Sequence, residues 1–323
     1  MMKFRSKTII IIWIFLISCL LGGNSVSAND LLDENNLPEY AISDKYIPND
    51  SSMTSSGFKG RLPYKEEPSL GSRAIIGDDG MVKCISSTAP PTRYVARMVV
   101  AWQIWNEEKQ MYSIKTEEHT AWLFGENVAI TRADNVINRN SNAKASSIYL
   151  YFGCNGESYL KETKATRIIY YKNWYNQVGS GKHLNFAILP LEKRVGKELG
   201  YLGFEKLTDA QLLNKAVTVT GYPHSKNNYP WKNTSKIVKV YEDYMWHSCD
   251  TLPGQEGSPL TYKKGDTFMC VGLNTFGPQG SREYNTATRI EGSLFNLMNL
   301  CKKFYADSSH DPKVDVPPEV SKS

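Results

Sequence analysis

Residues 254–259, Gly-Gln-Glu-Gly-Ser-Pro, place one carboxylate, Glu256, inside a short stretch punctuated by glycine and proline. That composition marks a tight loop, so the acid is presented at a defined place. A carboxylate there can hold a cation, share a proton with a second acid, or accept N–H bonds. It lacks the hydroxyl of a serine-type nucleophile. Imidazole is scarce: the chain has five histidines, His119, His183, His224, His247 and His310. Beyond residue 28 there are five cysteines, Cys84, Cys154, Cys249, Cys270 and Cys301, irregularly spaced and without a CxxC pair, which argues against zinc. Cys249 and Cys270 flank the Glu256 loop on neighbouring predicted strands and are the candidate disulfide, with buried free thiols as the alternative.

The elements that must position these groups read mostly as strands. Short β-branched and aromatic runs occur at 93–102, 120–131, 146–153, 164–171, 185–191, 216–223, 235–249 and 269–276, each bounded by turn residues. One helix is predicted at 292–306, where Leu294, Leu297, Cys301, Phe304 and Tyr305 share a face. Many short strands with one helix point to an all-β barrel or sandwich.

The 323 residues carry a formal charge of +5, with Lys and Arg scattered, and show no nucleic-acid footprint. Residues 1–28 read as a signal peptide: a basic start, an apolar run and Val26-Ser27-Ala28 before Asn29. Export to a secreted form follows, with no transmembrane span left after signal removal. Leu16-Ile17-Ser18-Cys19 also matches a lipobox, in which Cys19 would be lipid-anchored. Residues 29–73 read as a polar pro-segment or linker, 74–305 as the folded domain, and 306–323 as a disordered tail.

Across 74–305 several motifs follow one order: IIGDDG, TAWLFGENVAITRADNV, NFAILPLEKRVGKELGYLGF, VTGYPHSK, CDTLPGQEGSPL, VGLNTFG and YNTATRIEGSLFNLM. Together they resemble the glutamyl endopeptidase branch of the chymotrypsin/trypsin-like serine proteases. The resemblance implies two six-stranded antiparallel β-barrels with a C-terminal α-helix. It also places the catalytic histidine, aspartate and serine at Asp134, Asn185 and Glu256. None of these can do the work of a hydroxyl nucleophile, an imidazole base or its orienting carboxylate in that arrangement. No histidine lies near Asp134 in sequence, and Ser258 corresponds to the second serine of the loop. Gly254 is the remnant of the oxyanion hole, and Glu256 stands where its own carboxylate could occupy that hole. Thr251 is retained in the substrate pocket, while Asn274 takes the place of the pocket histidine.

The resemblance sets Asp134 and Glu256 across the old site. This leaves open a shared-proton dyad, a divalent cation such as calcium, or a glycosidase-like pair, against two solvated acids without chemistry. The expectation is a pseudoprotease without a cofactor that binds a protein or peptide, a host protein or an active paralogue among the candidates. The rival is a hydrolase with non-standard or metal-assisted chemistry at Asp134 and Glu256. Residues 106–118, read as an insertion, and 154–162 are candidate contact surfaces. Arg73 precedes the point where the pro-segment would be cut, and in the related enzymes the freed amine helps build the pocket.

Overall fold

The computed structural model describes residues 40–42, 75–76, 78–106, 110–179, 181, 183–278 and 283–321. Residues 1–28, read as a signal peptide, and most of 29–73 lie outside them. Tyr40–Ile42 is an exception, pairing antiparallel with Ile169–Tyr171 at one end of the first sheet.

The strands form two antiparallel units. The first sheet runs Tyr40–Ile42, Ile169–Tyr171, Ala187–Pro190, Val128–Thr131, Met111–Leu123, Val95–Asn106, Ser147–Phe152 and Lys161–Lys164, and curls into a half-barrel. The second closes. Thr267–Phe276, Pro259–Lys264, Ala216–Gly221, Trp231–Val240, Tyr244–His247 and Asn285–Arg289 form a ring, because the last strand pairs back onto the first. Its ladders break register between Ile237 and Lys239, Leu260 and Thr261, and Asn274 and Phe276. Such bulges add local twist and bend the strands, which a closed ring of this size needs. The architecture is the two-barrel fold of trypsin-like proteases, with only the second barrel fully laddered.

Period-two alternation explains the second core. In Ala216–Gly221, Val217 and Val219 point inward with Ile237, Leu260, Val271 and Ala287. The larger first core gathers Trp122, Phe124, Ile130, Leu150, Phe152, Phe186 and Ile188, and the helix Gly292–Ala306 packs onto it. Leu294, Leu297, Met298, Cys301 and Tyr305 recur at three- and four-residue steps and are the buried stripe; Phe304, expected among them, is only partly buried.

Three expectations are corrected. Residues 111–118 are not an insertion loop. They form the outer half of the strand Met111–Leu123, paired residue for residue with Val95–Asn106 as a long hairpin. Both faces of this outer half are exposed, so no burial alternation marks it in sequence. Cys249 and Cys270 are not bridged; all five described cysteines are free and buried. Cys249 lies past the end of the strand Tyr244–His247 and packs in the second core, whereas Cys270 packs in the first. Each thiol donates instead to a carbonyl, Cys249 to Val217 and Cys270 to Gly272. The tail is also not disordered over its described part. Val320 is buried in the first core, Thr166 Oγ1 donates to Pro312 O at 2.6 Å, and the Arg167 guanidinium donates to the carbonyls of Lys313 and Val314.

Candidate functional site

The loop carrying Glu256 is fixed from both units. Thr120 N–H, at the inner end of the long hairpin, donates to Glu256 O at 3.3 Å, and Asn135 Nδ2 donates to the same carbonyl at 2.9 Å. Gly257 N–H donates to Asn274 O and Asn274 N–H to Ser258 O, each at 2.8 Å. Asn274 Nδ2 adds a bond to Gln255 O at 3.1 Å. Gly254 and Gly257 have φ of +99° and +89°, and a Cβ on either would meet backbone within 2.5 Å, so only glycine fits. The loop's base is held by Asp250. Its carboxylate accepts Ile76 N–H at 2.7 Å and Gly80 N–H at 2.8 Å, joining the start of the domain to the loop.

The Glu256 carboxylate turns back on its own loop. Its Oε2 accepts the Gly254 N–H at 2.8 Å, and the residue is 7% exposed. His119 Nδ1 lies 3.9 Å from the same oxygen, while its Nε2 lies 3.7 Å from Glu117 Oε2. These are ion-pair rather than hydrogen-bond distances. The imidazole therefore stands between two carboxylates, and Trp102 Nε1 donates to Glu117 at 3.0 Å behind it.

Burial alone would push the Glu256 carboxyl up. His119, Arg132 and His224 outweigh it and hold it at about 2. Burial also works against a charged His119, yet Glu117 and Glu256 raise its pKa above the ordinary value. Glu117 in turn is lowered to about 2, by His119 first and also by Lys115.

Asp134 sits apart from this cluster. Its Oδ2 accepts Asn185 Nδ2 at 2.6 Å, and its own N–H donates to Asn185 Oδ1 at 3.2 Å. Arg132 Nε lies 3.4 Å and Arg139 Nε 3.7 Å from the Asp134 carboxylate. Arg132 thus serves Asp134 directly and Glu256 through its field, and it also donates through Nη1 to Thr275 O, with its guanidinium 4.7 Å from the Phe276 ring. Glu256 is held low by the cations around it, His119 first. Among the described residues no group of three His, Cys, Asp or Glu side chains converges as a metal site.

The pocket residues are closed in as well. Thr251 and Asn274 are 2% and 3% exposed. His247 Nε2 lies 3.2 Å from Asn274 Oδ1, and burial, partly offset by Asn274, brings its pKa down to about 4, leaving a neutral ring. The hydroxyls near the loop are occupied or shut away. Thr120 Oγ1 donates to Gly254 O at 2.7 Å, and Ser258 is fully buried.

The structure bonds Asp134 to Asn185 and Glu256 to Gly254. It also adds His119, Glu117 and Arg132, which sequence reading passed over. The available signal was the alternation Glu117-x-His119 leading into the buried Thr120-Ala121-Trp122 run.

The chain is 25% identical over 272 residues to a glutamyl endopeptidase of Bacillus licheniformis, covering 80% of each sequence. A solved Glu endopeptidase superposes with a TM-score of 0.59 at 18% identity, covering 71% of this chain and all of that one. The chain is a glutamyl endopeptidase homologue. An extracellular metalloprotease of Bacillus subtilis is 24% identical over 235 residues, covering 72% of this chain and 71% of the relative. The protease Anisep of Arthrobacter nicotinovorans shares the homologue's fold at a TM-score of 0.50 and 9% identity, over 66% of this chain and 99% of that one. No family model matches.

Proposed function

We propose that this homologue is a catalytically inactive, exported pseudoprotease that acts by binding a protein or peptide. The observation that carries this reading is the Gly254 N–H···Glu256 Oε2 bond of 2.8 Å, by which the chain fills its own oxyanion-hole remnant. Asp134, Asn185 and Glu256 stand at the triad positions, and none supplies a hydroxyl nucleophile or a neutral imidazole. His119 does not replace the missing base. Two carboxylates outweigh burial and raise its pKa, which favours the imidazolium, a form with no lone pair to take a proton. An extracellular relative and the residue 1–28 pattern support export to a secreted form.

The test is hydrolysis of a peptide library by the purified exported protein, with and without calcium or zinc, beside Asp134→Ala/Glu256→Ala. No turnover in any arm is expected. Turnover that the double variant loses would replace this reading with metal-assisted or non-standard hydrolysis. The mass of the exported protein separates a free N-terminus from a lipid on Cys19.

A further inference from the structure

A cavity of about 640 Å³ opens beside the strand Lys161–Lys164 and the short helix Val195–Leu199, and none of the cleft residues described above lines it. Its charges are unevenly matched. Glu198 takes Lys161 Nζ at 2.6 Å, and Glu162 accepts the Tyr159 hydroxyl at 2.8 Å. Arg194 is held by Glu126 at 2.9 Å. Lys193 and Lys197 are exposed and form no ion pair with a described residue. Glu198 is thus charge-paired from within and Glu162 only hydrogen-bonded, so the two unpaired ammonium groups outnumber the one unpaired carboxylate and leave the wall positive.

The wall also has a peptide-like edge. Lys161–Lys164 is the last strand of the first sheet, laddered on one side with Ser147–Phe152. On its other side the chain's own segment 191–193 closes the far end, Glu192 N–H donating to Lys164 O at 2.9 Å and Lys193 N–H to Thr163 Oγ1 at 3.1 Å, which leaves the edge at Lys161 and Glu162 bordering the cavity. Tyr159 and Leu160, each 43% exposed, add an apolar floor at the strand's entrance. A strand edge selects an extended backbone, and the unmatched lysines select its charge.

We propose that this cavity receives an extended acidic segment of a partner protein, which pairs with the open strand edge at Lys161 and Glu162 and sets its carboxylates against Lys193 and Lys197. The proposal rests on the binding role argued above and gives it a site and a partner chemistry.

The test uses the full exported protein and a fluorescent peptide alternating Glu and Val, read by anisotropy at low salt. Saturable binding is expected, weakened by salt and reduced about tenfold or more by Lys193→Glu/Lys197→Glu with an unchanged melting temperature. Lys193→Gln/Lys197→Gln should fall between. A copy of the peptide N-methylated at alternate residues should bind at least about tenfold more weakly, since it cannot pair along the strand. Absence of binding, equal binding by the charge-reversed protein, or undiminished binding of the N-methylated peptide overturns the proposal. Tighter binding of a sulfated oligosaccharide than of the peptide also overturns it, in favour of a polysaccharide ligand. A failure here leaves the hydrolysis result standing, because that assay does not depend on this cavity.

Discussion

The old cleft and the Lys161–Lys164 cavity use charge in opposite ways. In the cleft, Glu256, His119, Glu117, Arg132 and Asp134 answer one another, and the Gly254 N–H is spent on the chain's own carboxylate. In the cavity Lys161 pairs with Glu198, and the unpaired Lys193 and Lys197 outnumber the unpaired Glu162. The buried cluster balances its charges internally, although His119 Nδ1 and Nε2 and Arg132 Nε make no hydrogen bond, whereas the cavity presents a net positive surface to solvent.

Removing Glu256 should break this contrast most. Glu256→Ala leaves His119 beside Glu117 alone and frees the Gly254 N–H, at a cost of about 3 kcal/mol, or roughly 10 °C in melting temperature. Its pH dependence sharpens the point. The Glu256 carboxyl falls from the ordinary 4.5 to about 2, so its stabilisation is present above about pH 4.5 and lost as pH falls toward 2. His119 is raised, so its share is present below pH 6.5 and lost as pH climbs through the raised value. Thermal melts across pH should show both limbs in the native protein and flatter limbs in Glu256→Ala. Equal profiles would mean that the carboxylate is not held as described.

Asp250→Ala comes next. It orphans the Ile76 and Gly80 N–H groups, at about 2 kcal/mol, and should bring faster proteolysis near Arg73. Charge reversal at Lys193 and Lys197 should change stability by less than about 0.5 kcal/mol in a denaturant titration, because these lysines serve no described partner. The smallest effect is that of a reductant. Dithiothreitol should leave the melting temperature unchanged, since the described cysteines are free; a clear drop would reinstate a bridge.

The fold was legible because its signals are local or ordered along the chain. Leu294, Leu297, Cys301 and Tyr305 announce a helix face by spacing alone, and the loop around Glu256 by its glycines. The cleft was half legible. Asp134 and Asn185 could be placed from their motifs, whereas His119 meets Glu256 only because Thr120 and Gly254, 134 residues apart, are bonded at 2.7 Å. The outer hairpin was missed for a different reason. Met111, Tyr112 and Ile114 are exposed, and a strand that buries neither face leaves no periodic trace. Cys249 and Cys270 misled because flanking one loop in sequence does not bring two thiols together: Cys249 lies past the end of its strand, and the two pack in different cores.

The Asp250 clamp has a consequence for maturation. Its two main-chain donors, Ile76 and Gly80, are ordinary peptide amides inside the chain, present whether or not the backbone is cut after Arg73. Folding alone therefore sets this clamp, and a cut there would create neither donor.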